Sequence, residues 1–516
     1  MRREFLLAGA VAALVVVFCR AGAPVASNDI TVPASVQWAF SMGADPGNLT
    51  PPLIQQDRVY IARRGVLHCL DAVTGAQQWR FQPGVSDVST GPVPSGNLII
   101  VGGSDSVLYG LNARTGAVTW KLTCSAPIAA TPIILNDLLF LGASQLVYAV
   151  NPATGAVRWI SQMNAPARYG PVTDGSMIYF VGQDGSVQCI DATTGRYRWG
   201  VAIVKGPDFF PPVVASGRVI VASGKRVYGV ARSGGIAYAA ELTIGVGAAP
   251  TVVEDKLFLP AVDGNVYVLM ARSGAAAERK GKTPYKAEHA LVSSPCVTDS
   301  LVVAGGDDGL IFALDRTTGA IKWVYRCRAP DQLPTEGTKY GIFTPLLCAD
   351  GALFAVTGSG DLYRFSASAP DAAGPVFGDF WPEPGSAEPG GNYLGMTCSV
   401  VDDASGVDPA SVKIAVDGSP AEVTYKAATG EAESRATPLP DAPHVVKVSA
   451  KDYRGNEAST EWSFVTDAAL NPPTQPGTAG RQGMRGGTGG RGGGGGRGGG
   501  GGRGGGGGRG GRGRGG

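Results

Sequence analysis

The stretch Cys69-Leu70-Asp71-Ala72-Val73-Thr74-Gly75-Ala76-Gln77-Gln78-Trp79 returns, with substitutions, as Gly110 to Trp120, Ala149 to Trp159, Cys189 to Trp199 and Ala313 to Trp323. A period near 40 residues with several short strands per unit is the mark of a β-propeller. The turn glycines fall at Gly75, Gly116, Gly155, Gly195 and Gly319, and weaker Ser-Gly copies at Gly234 and Gly274 fill the gap, giving seven units. A second marker gives eight, because a proline opens an apolar run at Pro52, Pro92, Pro132, Pro171, Pro212, Pro250, Pro295 and Pro345. The last unit, through Leu362-Tyr363-Arg364-Phe365, has no tryptophan strand after it, whereas Val36-Gln37-Trp38-Ala39-Phe40 is an orphan copy of one. The expected ring therefore has eight blades and is closed by the N-terminal strand, which hides the edges that an open array would expose.

Each position of the repeat has a local reason. Asp71, Asn112, Asn151, Asp191 and Asp315 stand where a short polar side chain bonds nearby backbone N–H groups, and the glycine that follows reverses the chain without a Cβ clash. Trp38, Trp79, Trp120, Trp159, Trp199 and Trp323 fall on the outermost strands. Burying such an indole removes roughly 150–250 Å² from water, worth at most ~4–6 kcal/mol per blade. These tryptophans and the glycines Gly75, Gly116, Gly155, Gly195 and Gly319 are assigned to docking one blade on the next. In blades five and six Tyr238 and Glu278 replace the tryptophan, and Val230 and Met270 replace the turn acid. That sector is expected to be the least tightly stapled. Asp184-Gly185, Asp263-Gly264 and Asp308-Gly309 read as tight hairpin turns; calcium at such a turn is the lesser alternative, since one loop supplies too few oxygens.

Read as small-x-Asp-x-x-Thr-Gly-x-x-x-Trp, the motif resembles the tryptophan-docking motif of pyrroloquinoline-quinone-dependent alcohol dehydrogenases, which recurs in the propeller lipoproteins of the outer-membrane β-barrel assembly machine. The resemblance covers residues 32–366 and implies a quinoprotein-like propeller in which the motif is structural. The quinone enzymes hold their cofactor and a calcium ion in the propeller mouth, commonly under a disulfide between adjacent cysteines. This sequence has no adjacent cysteines and no long blade insertions, so the expected cofactor is none, with pyrroloquinoline quinone and calcium as alternatives.

The flanks differ in kind. Met1-Arg2-Arg3 followed by an apolar run from Phe5 to Phe18 reads as a signal peptide over residues 1–26, leaving no stable transmembrane span after cleavage. Residues 375–467 alternate in short strands, with Val412, Ile414 and Val416, then Val446, Val448 and Ala450, then Trp462 and Phe464, and read as a β-sandwich. Within it, Asp402-Asp403-Ala404-Ser405-Gly406-Val407-Asp408 and Lys451-Asp452-Tyr453-Arg454-Gly455-Asn456 resemble bacterial immunoglobulin-like or fibronectin-like modules, which implies a spacer or adhesive role. Residues 468–516 form a Gly/Arg-rich tail; from Arg481 onward it holds 25 glycines, eight arginines and no acid, too little apolar surface to offset ordering. Without those eight arginines, 36 basic residues face 42 acidic ones, so a mildly acidic body carries a basic tail. Of eight cysteines, Cys19 falls in the leader, and the odd remainder leaves at least one thiol free.

Enzyme signatures are sparse. His68, His289 and His444 lie in separate units, and there is no Gly-x-Ser-x-Gly elbow or phosphate-binding loop. The connections between each tryptophan strand and the next proline are expected to gather on one mouth, carrying Arg168-Tyr169, Phe209-Phe210, Lys282, Tyr285, Lys286, His289 and Lys339-Tyr340. Aromatics beside cations suit recognition of an envelope protein, peptide or polysaccharide. The expectation is thus an extracytoplasmic, non-catalytic bacterial scaffold in the periplasm or at the cell surface, the RGG tail meeting polyanions. Rival readings are a quinone- or metal-dependent oxidoreductase and an RNA binder acting through the tail.

Overall fold

Third strands such as Val107-Leu108-Tyr109-Gly110-Leu111 are apolar on both faces, and a single sheet cannot bury both; stacking sheets in succession can. In the computed structural model, which describes residues 29–470 apart from 44–49, 64, 85, 204–208, 278–284, 288, 328–340, 391–392, 428 and 436, eight four-stranded sheets lie between Ser35 and Ser366. Blade 1 comprises Leu53–Gln55, Arg58–Arg63, Val66–Asp71 and Gln77–Phe81, paired antiparallel in that order. Its middle strands bury Val59, Ile61, Leu67 and Leu70 completely, while its outer strand alternates in exposure. The first strands of blades three to seven pack on one another in succession, as strands converging on an axis must.

The last sheet is assembled from both ends of this array. Ser35–Ser41 pairs antiparallel with Asp361–Ser366, Ser35 opposite Ser366 and Trp38 opposite Arg364. The orphan tryptophan strand therefore closes the ring where the missing strand of the last unit belongs.

The docking device follows the repeat. Asp71 Oδ1 accepts from the N–H of Val73 (3.0 Å) and Thr74 (2.8 Å), fixing the turn. The indole of the preceding blade lies against the turn glycine: a Cβ on Gly75, Gly116, Gly155 or Gly195 would come 2.6–2.7 Å from Trp38, Trp79, Trp120 or Trp159, respectively. These glycines have φ near +70 to +75°, so both backbone and space exclude a side chain. Trp38, Trp79, Trp120 and Trp199 each donate Nε1–H to a carbonyl one residue past the cap position of the next blade: Ala72 (3.1 Å), Ala113 (3.1 Å), Pro152 (3.2 Å) and Arg232 (2.9 Å).

Blades five and six correct the expectation of weak stapling. The Tyr238 hydroxyl donates to the Ala271 carbonyl at 2.9 Å, and Tyr285 donates to the Arg316 carbonyl at 2.5 Å, next to the turn of Gly319. A phenol reaches the same acceptor as an indole. Blade five's turn is also one residue shorter. Its Gly234 N–H bonds the carbonyl of Ala231, whereas Gly75 reaches back four residues to Asp71, so the acid's place is taken by Ala231 and Val230 is fully buried. Glu278 lies outside the described residues.

Beyond the ring, two sheets enclose a separate core. One runs Val376–Trp381, Thr397–Val401, Glu431–Ser434, Val423–Lys426; the other runs Ala387–Pro389, Glu457–Asp467, Pro443–Lys451, Lys413–Val416, Ser419–Pro420. Met396, Cys398, Val400, Ile414, Val446, Val448, Trp462 and Phe464 fill the space between them. Cys296 and Cys348 form a disulfide with Cα atoms 6.4 Å apart, joining the innermost strands of blades seven and eight. Cys69, Cys124, Cys189, Cys327 and Cys398 are free and buried, and burial pushes the Cys398 thiol up to about 12.

Candidate partner-binding face

Antiparallel alternation sends the Thr-Gly turns to one end of the strands and the hairpins between second and third strands to the other, together with the connections between blades. These connections are pinned to the hairpins by backbone. Val88 bridges both Gly65 and Gly103, Val246 bridges Ala261, and Leu291 bridges Gly306. Further bonds join Ser104 N–H to the Asp87 carbonyl (2.8 Å), Gln183 to Pro166 (2.9 Å), Asp307 to Ala290 (3.1 Å) and Gly358 to Gly341 (2.8 Å). The result is a rim of connections held on a rigid ring, the arrangement on which variable binding residues are usually displayed.

The predicted residues divide on this rim. Arg168 and Tyr169 belong to the start of the innermost strand of blade four, Ala167–Thr173, and not to the connection; both are partly exposed, the guanidinium carbon 5.3 Å from the ring centroid in a cation–π contact, and Tyr169 also packs against the core shared by blades four and five. Lys286 is exposed and His289 half-exposed, with His289 Nδ1 3.4 Å from Asp308 Oδ2. Three expectations are corrected. Phe209 is 3% exposed and packs in the core shared by blades four and five, and Phe210 packs against the neighbouring core. Tyr285 is 4% exposed because it is the docking aromatic of blade six. Short apolar runs in a connection fill the wedge between blades. Lys282, Lys339 and Tyr340 lie outside the described residues.

Sequence reasoning missed a second ring. The third residue of the third strand is Tyr109, Tyr148, Tyr228, Tyr267 and Tyr363 in five blades, a periodicity visible in the repeat itself. Tyr109 bonds Asp105, Tyr267 bonds Asp263 at 2.8 Å, and Tyr148 accepts the Ser125 N–H at 3.0 Å. Lys121 sits 5.4 Å over the Tyr109 ring. Burial, and then the adjacent Asp308, push the Asp307 carboxyl above its ordinary range. Tyr109, Tyr148, Tyr228 and Tyr363 are buried, so this ring packs between blades, and their hydroxyls and the turn acids brace the rim from beneath.

Two of the turn acids on the rim have local partners. Asp184 Oδ1 accepts from Ser186 N–H (3.0 Å) and Oγ (2.6 Å), and Asp263 accepts from Asn265 N–H (3.0 Å), Asn265 Nδ2 (2.8 Å) and Tyr267, so these turn acids serve their own hairpins. Among the described residues, the trio of acids whose oxygens lie within 4.8 Å of one another is Asp371, Asp402 and Asp452, which stands at the sandwich and not at the mouth.

Comparison with known proteins agrees with this architecture. The family model of the outer membrane protein assembly factor BamB matches residues 32–203 and 183–374. The serine/threonine-protein kinase AfsK of Streptomyces griseus is 29% identical over 183 residues, 34% of this chain and 18% of that protein. BamB of Burkholderia pseudomallei is 33% identical over 105 residues, 20% of this chain and 27% of that protein. The chain therefore spans well under half of the length of either relative. Among solved structures, BamB from Moraxella catarrhalis superimposes with a TM-score of 0.50 at 17% identity, covering 64% of this chain and 99% of that one. The quinohemoprotein alcohol dehydrogenase of Comamonas testosteroni gives 0.51 at 13% identity, covering 71% and 80%; both likenesses concern the fold. The tandem match across the ring is decisive: this chain is a member of the family of the outer membrane protein assembly factor BamB.

Proposed function

We propose that this chain is an exported, non-catalytic scaffold whose connection rim binds a protein or peptide segment of the bacterial envelope. The observation that carries the reading is the pinned rim, on which Arg168, Tyr169, Lys286, His289 and Asp307 stand beside carboxylates on a rigid ring. Membership of the BamB family supports an envelope protein as the partner over a glycan. The Cys296–Cys348 disulfide suits an oxidising compartment, and among the described residues no helix is long and apolar enough to cross a membrane. The proposed organisation is a leader over 1–26, the propeller over 32–366, an immunoglobulin-like module over 375–467 and a tail over 468–516 that contacts polyanions.

The test is capture of envelope proteins by the mature chain, by an Arg168→Ala/Tyr169→Ala variant and by a version ending at residue 470. Capture that the double variant loses and the tail-less version keeps is the expected result; equal capture by all versions would sink the rim as the site. The fold likeness to quinohemoprotein alcohol dehydrogenase favours one rival, a quinone oxidoreductase. Reconstitution with pyrroloquinoline quinone and calcium decides it, since a bound quinone absorbance band with dye-linked alcohol oxidation would replace the scaffold reading.

A further inference from the structure

Every docking joint described above pairs an aromatic on one blade with the glycine turn between the third and fourth strands of the next. Blade eight has a reduced turn: after its third strand, Asp361–Ser366, Ser366 Oγ accepts the Ser368 N–H at 3.2 Å, but Ala367-Ser368-Ala369-Pro370 brings no acid and no glycine. Trp323 of blade seven is nevertheless 0% exposed, and its Nε1–H is satisfied. The acceptor is the carbonyl of Ser405 at 2.8 Å, in the sandwich, and the Tyr325 hydroxyl on the same strand donates to the Asp403 carbonyl, also at 2.8 Å.

The loop that supplies these carbonyls is Asp402-Asp403-Ala404-Ser405-Gly406, which repeats the Asp-x-x-Thr/Ser-Gly form of a blade turn. Asp402 Oδ1 accepts from the N–H of Ala404 (3.2 Å), Ser405 (2.9 Å) and Gly406 (2.7 Å), as Asp71 Oδ1 accepts from Val73 and Thr74. Gly406 has φ +86°, and a Cβ there would stand 2.9 Å from the Val324 carbonyl oxygen. The same loop reaches the closing strand of blade eight: Val36 N–H donates to the Ala404 carbonyl at 2.9 Å. Arg454, on the adjoining sandwich hairpin, donates Nε–H to Ser35 Oγ at 3.1 Å and also bonds the Ala367 carbonyl.

We propose that the sandwich is the eighth docking partner of the ring: its Asp402–Gly406 loop takes the place of the Asp-x-x-Thr-Gly turn that blade eight lacks, locks the joint between blades seven and eight, and makes propeller and sandwich one cooperative unit. This goes beyond the partner-binding reading and stands without it. It gives the sandwich a structural role beside the spacer or adhesive role that the resemblance implies.

The test uses the mature full chain and three variants: Trp323→Phe, which keeps an aromatic ring and removes its N–H donor; Asp402→Ala, which removes the cap; and Val448→Ala, which opens a cavity in the sandwich core away from the joint. Hydrogen exchange is followed in Ile321–Arg326 and, as an internal control, in Val118–Thr123, alongside calorimetry. Expected are about tenfold faster exchange in Ile321–Arg326 for each joint variant with the control strand unchanged, and one calorimetric transition that Val448→Ala lowers as a whole. Unchanged exchange in both joint variants, or two transitions of which Val448→Ala moves one alone, would overturn the proposal. Should Asp402→Ala fail to fold, Trp323→Phe and Val448→Ala still decide it.

Discussion

Two turns of the same Asp-x-x-Thr/Ser-Gly form, Asp191-Ala192-Thr193-Thr194-Gly195 in blade four and Asp402-Asp403-Ala404-Ser405-Gly406 in the sandwich, shift their acids in opposite directions. Arg198, 2.6 Å from Asp191 Oδ2, together with the N–H and hydroxyl of Thr194, holds Asp191 down to about 2. Asp402 accepts three N–H bonds, yet burial, with Asp371 and Asp452 close by, pushes it up to about 6. The local sequence sets the shape of the turn in both places. What packs around it sets the direction of the shift, because desolvation and like charges penalise a carboxylate and a guanidinium favours it.

The contrast can be broken first at the indole. Trp159→Ala, which empties the seat on the Asp191 turn, is expected to cost about 3–5 kcal/mol in denaturant unfolding. Trp159→Phe should cost far less than Trp323→Phe, because Trp159 Nε1 has no hydrogen-bond partner among the described residues. Next in size, Tyr238→Phe removes one hydroxyl bond to Ala271 and should cost about 1 kcal/mol by the same measurement.

The smallest effects are those of pH, and they run in opposite directions. Asp402, raised from 3.8, contributes stability that is fully present below pH 3.8 and is lost as pH climbs through 6. Melting points of an Asp402→Asn variant should therefore fall less than the parent's between pH 4 and 7, with Asp371, Asp452 and Arg454 retained in both. Asp191, lowered from 3.8, contributes stability above pH 3.8 that is lost as pH falls toward 2. Arg198→Gln should lower the melting point at pH 7 and converge with the parent near pH 2; parallel curves would show that the ion pair is without effect.

Much of the ring was legible because its signals are local and repeated. The cap, the glycine and the indole recur at fixed spacing, so each copy supports the others, and Trp38 could be placed against the last strand because its neighbours Val36 and Phe40 match those of the other outer strands. Blade five was misjudged by one residue since counting back from Gly234 assumes a turn of constant length. The rim was only half legible: Arg168 and Tyr169 stay partly exposed, whereas Phe209 and Tyr285, read from the sequence as rim residues like them, are buried. An aromatic side chain serves a wedge between blades as well as a partner, and its type alone cannot separate the two uses.

The sequence by itself determined a closed array of four-stranded units, the residues that staple them and the separate alternating region after Ser366, since backbone conformation and burial period depend on neighbours along the chain. Only the tertiary structure decided that Tyr285 is a staple, that Cys296 meets Cys348 and that Trp323 docks on a loop 82 residues away. Those pairings join segments distant in sequence, and which carbonyl fills a given socket is fixed by how the sheets stack in space.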